Sequence, residues 1–230
     1  MANLDAIREI ARQKLAIPAD GGRVDWFLWE HTQRVVGAAP AIVRLEGLDD
    51  GVDPIVLTCA AWFYDAGWAV EYHQGHVARE AIRAKVTTSV QRELGASLMA
   101  DALKGTVDAR RINLASACIR ALGERPVDRT DARVILDADS LEDCGPLCLW
   151  QMIRQNTFEG RGMQGVLDAW QARQQYGYWN ALINESIRFE SVKTIARRRL
   201  AQLDQFVDQL RASHTGEDLR AAERSQADRS

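Results

Sequence analysis

At 230 residues the chain is long enough for one large domain or two small ones, and 47% hydrophobic with 27% charged residues is an ordinary globular composition, which excludes fibrous and wholly disordered classes. Lys and Arg number 29 against 32 Asp and Glu, a net charge of −3 that argues against nucleic acid as the primary partner, because such binding rests on neutralising phosphates. Four cysteines, Cys59, Cys118, Cys144 and Cys148, are too few for a disulfide framework, and no charged and apolar secretory leader opens the sequence, so a cytoplasmic protein with reduced thiols is expected.

In chain order, Leu4, Ile7, Ile10 and Ala11 repeat at helical spacing, and Pro18 with Asp20-Gly21-Gly22 ends that helix in a loop. A second helix is predicted from about Val24, carrying Trp26, Phe27, His31, Val35, Ala39, Ile42 and Val43 on one face, with a kink or break at Pro40. Asp53 and Pro54 suit a cap and first position, so a third helix should run to about Ala66. Gly67 would then be its left-handed terminator, and Asp65 would lie in the last turn against the negative end of the dipole. The nearly uncharged stretch from Ile55 to Tyr64 is too short for a bilayer, and no membrane segment is expected.

After a loop with His73, Gly75 and His76, the apolar residues Ile82, Val86, Val90 and Leu94 predict another helix, and Leu98 to Leu122 continues with weak breaks at Gly95 and Gly105. Val134, Ile135 and Leu136 lead into Asp137-Ala138-Asp139-Ser140-Leu141, read as a carboxylate-rich turn, and Leu147 to Ile153 reads as helical. The last long helix places Ile195, Leu203, Phe206, Val207 and Leu210 on one stripe, with Arg197, Arg198 and Arg199 on the solvated side. Alternating strand patterns are absent, so the expected fold is an all-α single-domain bundle: a helix and loop over 1–22, the main domain over 23–212 and a disordered tail over 213–230.

Three residues stand out chemically. His31 in a helix, Asp65 at a helix end and Asp139 far downstream would, if they converge, make a site for a divalent ion of borderline or hard character. Each also has a plainer reading: a packed histidine, an aspartate paired with an arginine, a helix cap. His73 and His76 have metal-like spacing but a loop context, and Cys144 and Cys148 read as small buried residues. Of the seven tryptophans most are expected in the core, while Trp68 could wall a pocket and stack on a base. Arg34, one turn from His31, could reach a phosphate or neutralise Asp65.

The ordered segments WEHTQRVVGAAPAIVRLEGLDD, VLTCAAWFYDAGW and ARVILDADSLEDCG resemble the HD-domain superfamily of metal-dependent phosphohydrolases, over roughly residues 23–210. The resemblance implies an HD-like helical bundle, with His31, Asp65 and Asp139 as metal ligands. It implies catalytic parts for Asp65, which would ligate and orient a water, for His76, which would contact the phosphate or protonate the leaving oxygen, and for Tyr64 as a hydrogen-bond donor. Arg34 and Trp68 would bind substrate. The pattern departs at Tyr64, which stands where a second histidine belongs, and the histidine expected near Leu122 and Gly123 is also missing, so a two-metal site is not expected.

A single divalent ion, Mn, Mg, Ni, Co or Fe, on the three remaining ligands would bind more weakly, and Tyr64→His should raise its affinity. Two functions are in view. One is a phosphohydrolase with a weakened single-metal site acting on a nucleotide or other small phosphorylated molecule. The other is a degenerate, non-catalytic HD domain serving as a ligand-binding or regulatory module.

Overall fold

The computed structural model describes residues 3–124 and 126–227. Asn3 accepts from the N–H groups of Asp5 and Ala6 and so starts α1 (Leu4–Leu15), whose Ile7, Ala11 and Leu15 are buried. The stretch expected as a plain loop is a short antiparallel hairpin, β1 (Ile17–Ala19) and β2 (Arg23–Asp25), with Ile17 opposite Asp25. Its turn uses the left-handed backbone of Gly21 and Gly22, at φ 69° and 71°. Three-residue strands leave no room for an alternating pattern to be read.

α2 (Phe27–Leu45) continues through Pro40, where a kink or break was expected. Pro40 sits on the exposed side, where water can take up the carbonyl it leaves unpaired. α3 (Pro54–Phe63) starts as predicted, with Asp53 accepting from the N–H groups of Ile55 and Val56, but it ends earlier than expected. The chain breaks at Tyr64 and Asp65 and resumes as α4 (Ala66–His73). Gly67 is therefore no terminator. A Cβ there would stand 1.9 Å from the carbonyl oxygen of Gln91, so the glycine is required by the close approach of the following helix. Gly95 does the same from the other side, where a Cβ would lie 2.6 Å from the carbonyl oxygen of Phe63.

A 3-10 turn (Arg79–Ala81) and an irregular run over 82–88 precede α5 (Ser89–Ala102). The helix predicted over Ile82–Leu94 thus begins only at Ser89, where Thr88 and Gln91 form a reciprocal capping box. α6 (Ala109–Ala121) and α7 (Thr130–Ser140) follow. α4 packs on α5, α5 on α6, and α3 on both α2 and α6.

The chain divides into two compact units, one ending at Asp139 and one beginning at Ser140, so the boundary falls within the segment 23–212. The second unit contains a 3-10 turn (Leu141–Cys144), α8 (Pro146–Phe158), α9 (Met163–Gln175), α10 (Tyr178–Ala181), a π turn (Leu182–Ser186), α11 (Glu190–Thr215) and α12 (Glu217–Ala227). Trp170 and Trp179 pack with ring centroids 4.2 Å apart at its core. The segment from Ser213, expected as a disordered tail, is helical to Thr215 and again from Glu217 to Ala227, broken by the left-handed Gly216, and its last three residues lie outside the described residues. The fold is all-α as expected, and no helix among the described residues is long and apolar enough to cross a membrane.

Candidate functional site

The site belongs to the first unit and is assembled by short-range packing. Trp29 on α2 stacks on Trp62 on α3, with ring centroids 4.6 Å apart and planes 6° from parallel. That contact fixes the two helices so that His31, two residues after Trp29, meets Tyr64, two residues after Trp62. Nε2 of the buried His31 lies 2.5 Å from the phenol oxygen of Tyr64 and 3.1 Å from Oδ1 of Asp139, with Oδ2 of Asp65 at 3.7 Å. Asp139 arrives from the last turn of α7, not from a turn as the sequence suggested.

His31, Asp65 and Asp139 therefore converge, each offering a ligand atom within 4.8 Å of the others. Hydrogen-bond bookkeeping decides what the convergence can do. The phenol of Tyr64 has one proton, which it donates to Oδ1 of Asp139 at 2.9 Å. Its oxygen is then an acceptor toward His31. With a phenol oxygen and carboxylate oxygens in front of it, Nε2 is placed to donate in the tautomer that carries the proton there.

Asp65 stands at the start of α4, the positive end of that helix, so the unfavourable dipole inferred from sequence does not exist. Its carboxylate does not cap the helix. Oδ1 accepts from the hydroxyl of Thr87 at 2.8 Å, and that same hydroxyl oxygen accepts from the indole N–H of Trp68 at 3.0 Å. Oδ2 accepts from Nη1 of Arg83, whose Nη2 reaches Oδ1 of Asp139 at 3.1 Å. Nη1 also lies 3.4 Å from the Tyr64 hydroxyl. Arg83 thus bridges both carboxylates, and it does so from a left-handed backbone, φ 58°, the only such non-glycine residue among those described.

The electrostatics follow from this bridge. Burial would raise the carboxyl of Asp139, but the charge of Arg83, with hydrogen bonds from His31 and Tyr64, outweighs it and holds the group well below the usual carboxylate range. Burial, reinforced by the charges of Asp139 and Asp65, pushes the Tyr64 phenol well above its ordinary value, so it stays neutral. The guanidinium across the two carboxylates, beside a neutral phenol, occupies the place where a divalent ion would put its charge. With that guanidinium in place, the centre does not fit the metal that the resemblance implies, although His31, Asp65 and Asp139 are close enough together to hold one.

Other sequence candidates fall elsewhere. His76 is exposed after α4, and the cluster of possible metal ligands among the described residues omits both it and His73. Trp68 is buried with its N–H bonded to Thr87, so it positions Asp65 through that hydroxyl and offers no face to a base. Arg34 is half-buried on α2, and the guanidinium found on Asp65 is that of Arg83. Cys144 and Cys148 are buried free thiols. Sequence reading missed Arg83 and Thr87 because it placed both on a helix; the capping pattern Thr88-x-x-Gln91 was the available signal that they precede one.

No family model matches the chain, and no curated protein matches it. Solved structures do. Bacillus subtilis YpgQ in complex with ADP superposes with a TM-score of 0.61 at 18% identity, covering 92% of this chain and 97% of that one. The two chains share a fold. A predicted HD superfamily hydrolase from an uncultured Thermotogales bacterium matches with a TM-score of 0.56 at 19% identity over 91% of this chain and 92% of its own. A Lactobacillus plantarum protein matches at 0.56 and 19%, over 93% and 97%.

Proposed function

We propose that this chain is a ligand-binding or regulatory module on the HD fold that works without a resident metal ion and takes a small phosphorylated molecule as its ligand. The observation that carries the reading is the guanidinium of Arg83 across Asp65 and Asp139, which neutralises within the chain the charge that a divalent ion would balance. Asp139, held far below the usual carboxylate range, is also a weak proton acceptor, whereas a general base works best near the operating pH. The ADP bound to the Bacillus subtilis neighbour supports the ligand class.

The hydrolase reading, with His31, Asp65 and Asp139 around Mn, Mg, Ni, Co or Fe, draws support from the convergence of those three residues. One set of measurements on the purified full chain separates the two. After dialysis against each cation we expect no stoichiometric metal, calorimetric ADP binding that EDTA leaves unchanged, and no phosphate or pyrophosphate release from a nucleotide panel. One equivalent of bound metal, with hydrolysis that Asp65→Ala abolishes, would establish the hydrolase instead.

A further inference from the structure

We propose that Arg83 is a built-in surrogate for a divalent cation, and that a latent cation site opens when its guanidinium is removed. This rests on the reading above that the domain carries no resident ion, and not on its affinity for phosphorylated molecules. Three observations support it. The ligand atoms of His31, Asp65 and Asp139 lie within 4.8 Å of one another, a spread that one ion with bonds of about 2.0–2.6 Å can close. Their backbones are set by α2, by the junction of α3 and α4, and by α7, and the Thr87 hydroxyl keeps its bond to Asp65 when only the side chain of Arg83 is removed. Arg83 itself lies on the irregular run over 82–88, at φ 58°. A side chain adopts that backbone only where its surroundings hold it there, and here the holding contacts include the two carboxylates and the phenol.

The surrogate changes what a single substitution at position 64 can do. Tyr64→His adds an imidazole but leaves the guanidinium in place, so by itself it creates no cation site. Removing Arg83 leaves the buried Asp65 without its countercharge and exposes a demand for an external cation. Glycine is the informative replacement, because it adopts the left-handed backbone without strain and so removes the charge while easing the loop.

The test follows thermal unfolding and calorimetric binding of MnCl2 and NiCl2 for the full chain, Arg83→Gly, Arg83→Lys, Tyr64→His and the double variant Tyr64→His with Arg83→Gly. The unaltered chain, Arg83→Lys and Tyr64→His should show no metal-dependent shift. Arg83→Gly should melt about 5–10 °C lower and recover most of that loss on adding either metal. The double variant should bind one equivalent at least about tenfold more tightly than Arg83→Gly, as one added ligand worth about 1.4 kcal/mol would give. If Arg83→Gly does not accumulate as folded protein, Arg83→Asn, which also tolerates this backbone, is read in the same way. Indifference of Arg83→Gly and of the double variant to metal, or an equal response from the unaltered chain, overturns the proposal. Nucleotide plays no part in these arms, so a failure of ADP binding bears only on the ligand class.

Discussion

Thr87 donates to Asp65 while accepting from Trp68, so one hydroxyl satisfies two groups that water barely reaches. Replacing it with valine keeps the shape and orphans both partners. An unsatisfied buried group costs about 1–3 kcal/mol, so Thr87→Val should lower stability by about 2–4 kcal/mol in urea unfolding, while Thr87→Ser should stay within about 1 kcal/mol of the original. Equal stability of the valine and serine variants would show that the hydroxyl does not hold Asp65. At this scale the converging residues were legible: His31, Asp65 and Asp139 could be named from their order and flanks. Arg83 could not, because a left-handed arginine has no composition or spacing that announces it.

Between residue and molecule stands the helix α3, which brings Tyr64 and Asp65 to the site and depends on its first turn. Asp53 caps that turn and also accepts from Arg111 on α6 at 2.9 Å. Its partial burial would raise its pKa, but the hydrogen bond from Arg111 and the two backbone N–H groups outweigh this and lower it. A carboxyl whose folded pKa lies below its unfolded one contributes stability at pH values above the unfolded value, near 3.9, and loses it as the pH falls through the folded value. Asp53→Ala should therefore cost about 0.5–2 kcal/mol between pH 5 and 7, and that difference should shrink below about pH 4. A gap that stays constant into strong acid would show that the cap carries no charge-dependent part.

The same helix shows where sequence reading stopped. Asp53 and Pro54 announce its start, whereas its end is fixed by α5 crossing at Gly67 and Gly95, a tertiary demand that local pattern does not encode. The helix predicted over 82–94 failed for a related reason: of its apolar residues Ile82 is buried, but Val86 and Val90 are exposed, so the spacing imitated a face that packs against nothing.

Across the whole molecule, the four thiols lie two in each unit and all are buried. Burial pushes Cys59, Cys144 and Cys148 up to about 12 and Cys118 well above its ordinary value, and only the thiolate reacts. The native protein should therefore be silent to a thiol-selective disulfide reagent at pH 8 and titrate four equivalents in denaturant. A cysteine that reacts rapidly in the native state would contradict the packing of its unit. The all-α class was readable from helical periodicity, while the division at Asp139 was not, because α7 carries the boundary within one unbroken helix. The central claim is that the centre formed by His31, Asp65 and Asp139 is closed by the chain's own arginine and tyrosine. A crystal structure from protein grown in millimolar MnCl2, with diffraction recorded at the manganese edge, tests it most directly. The account predicts guanidinium density spanning Asp65 and Asp139 with no anomalous peak among His31, Asp65 and Asp139; a peak there at bonding distance from all three, with Arg83 turned away, would contradict it.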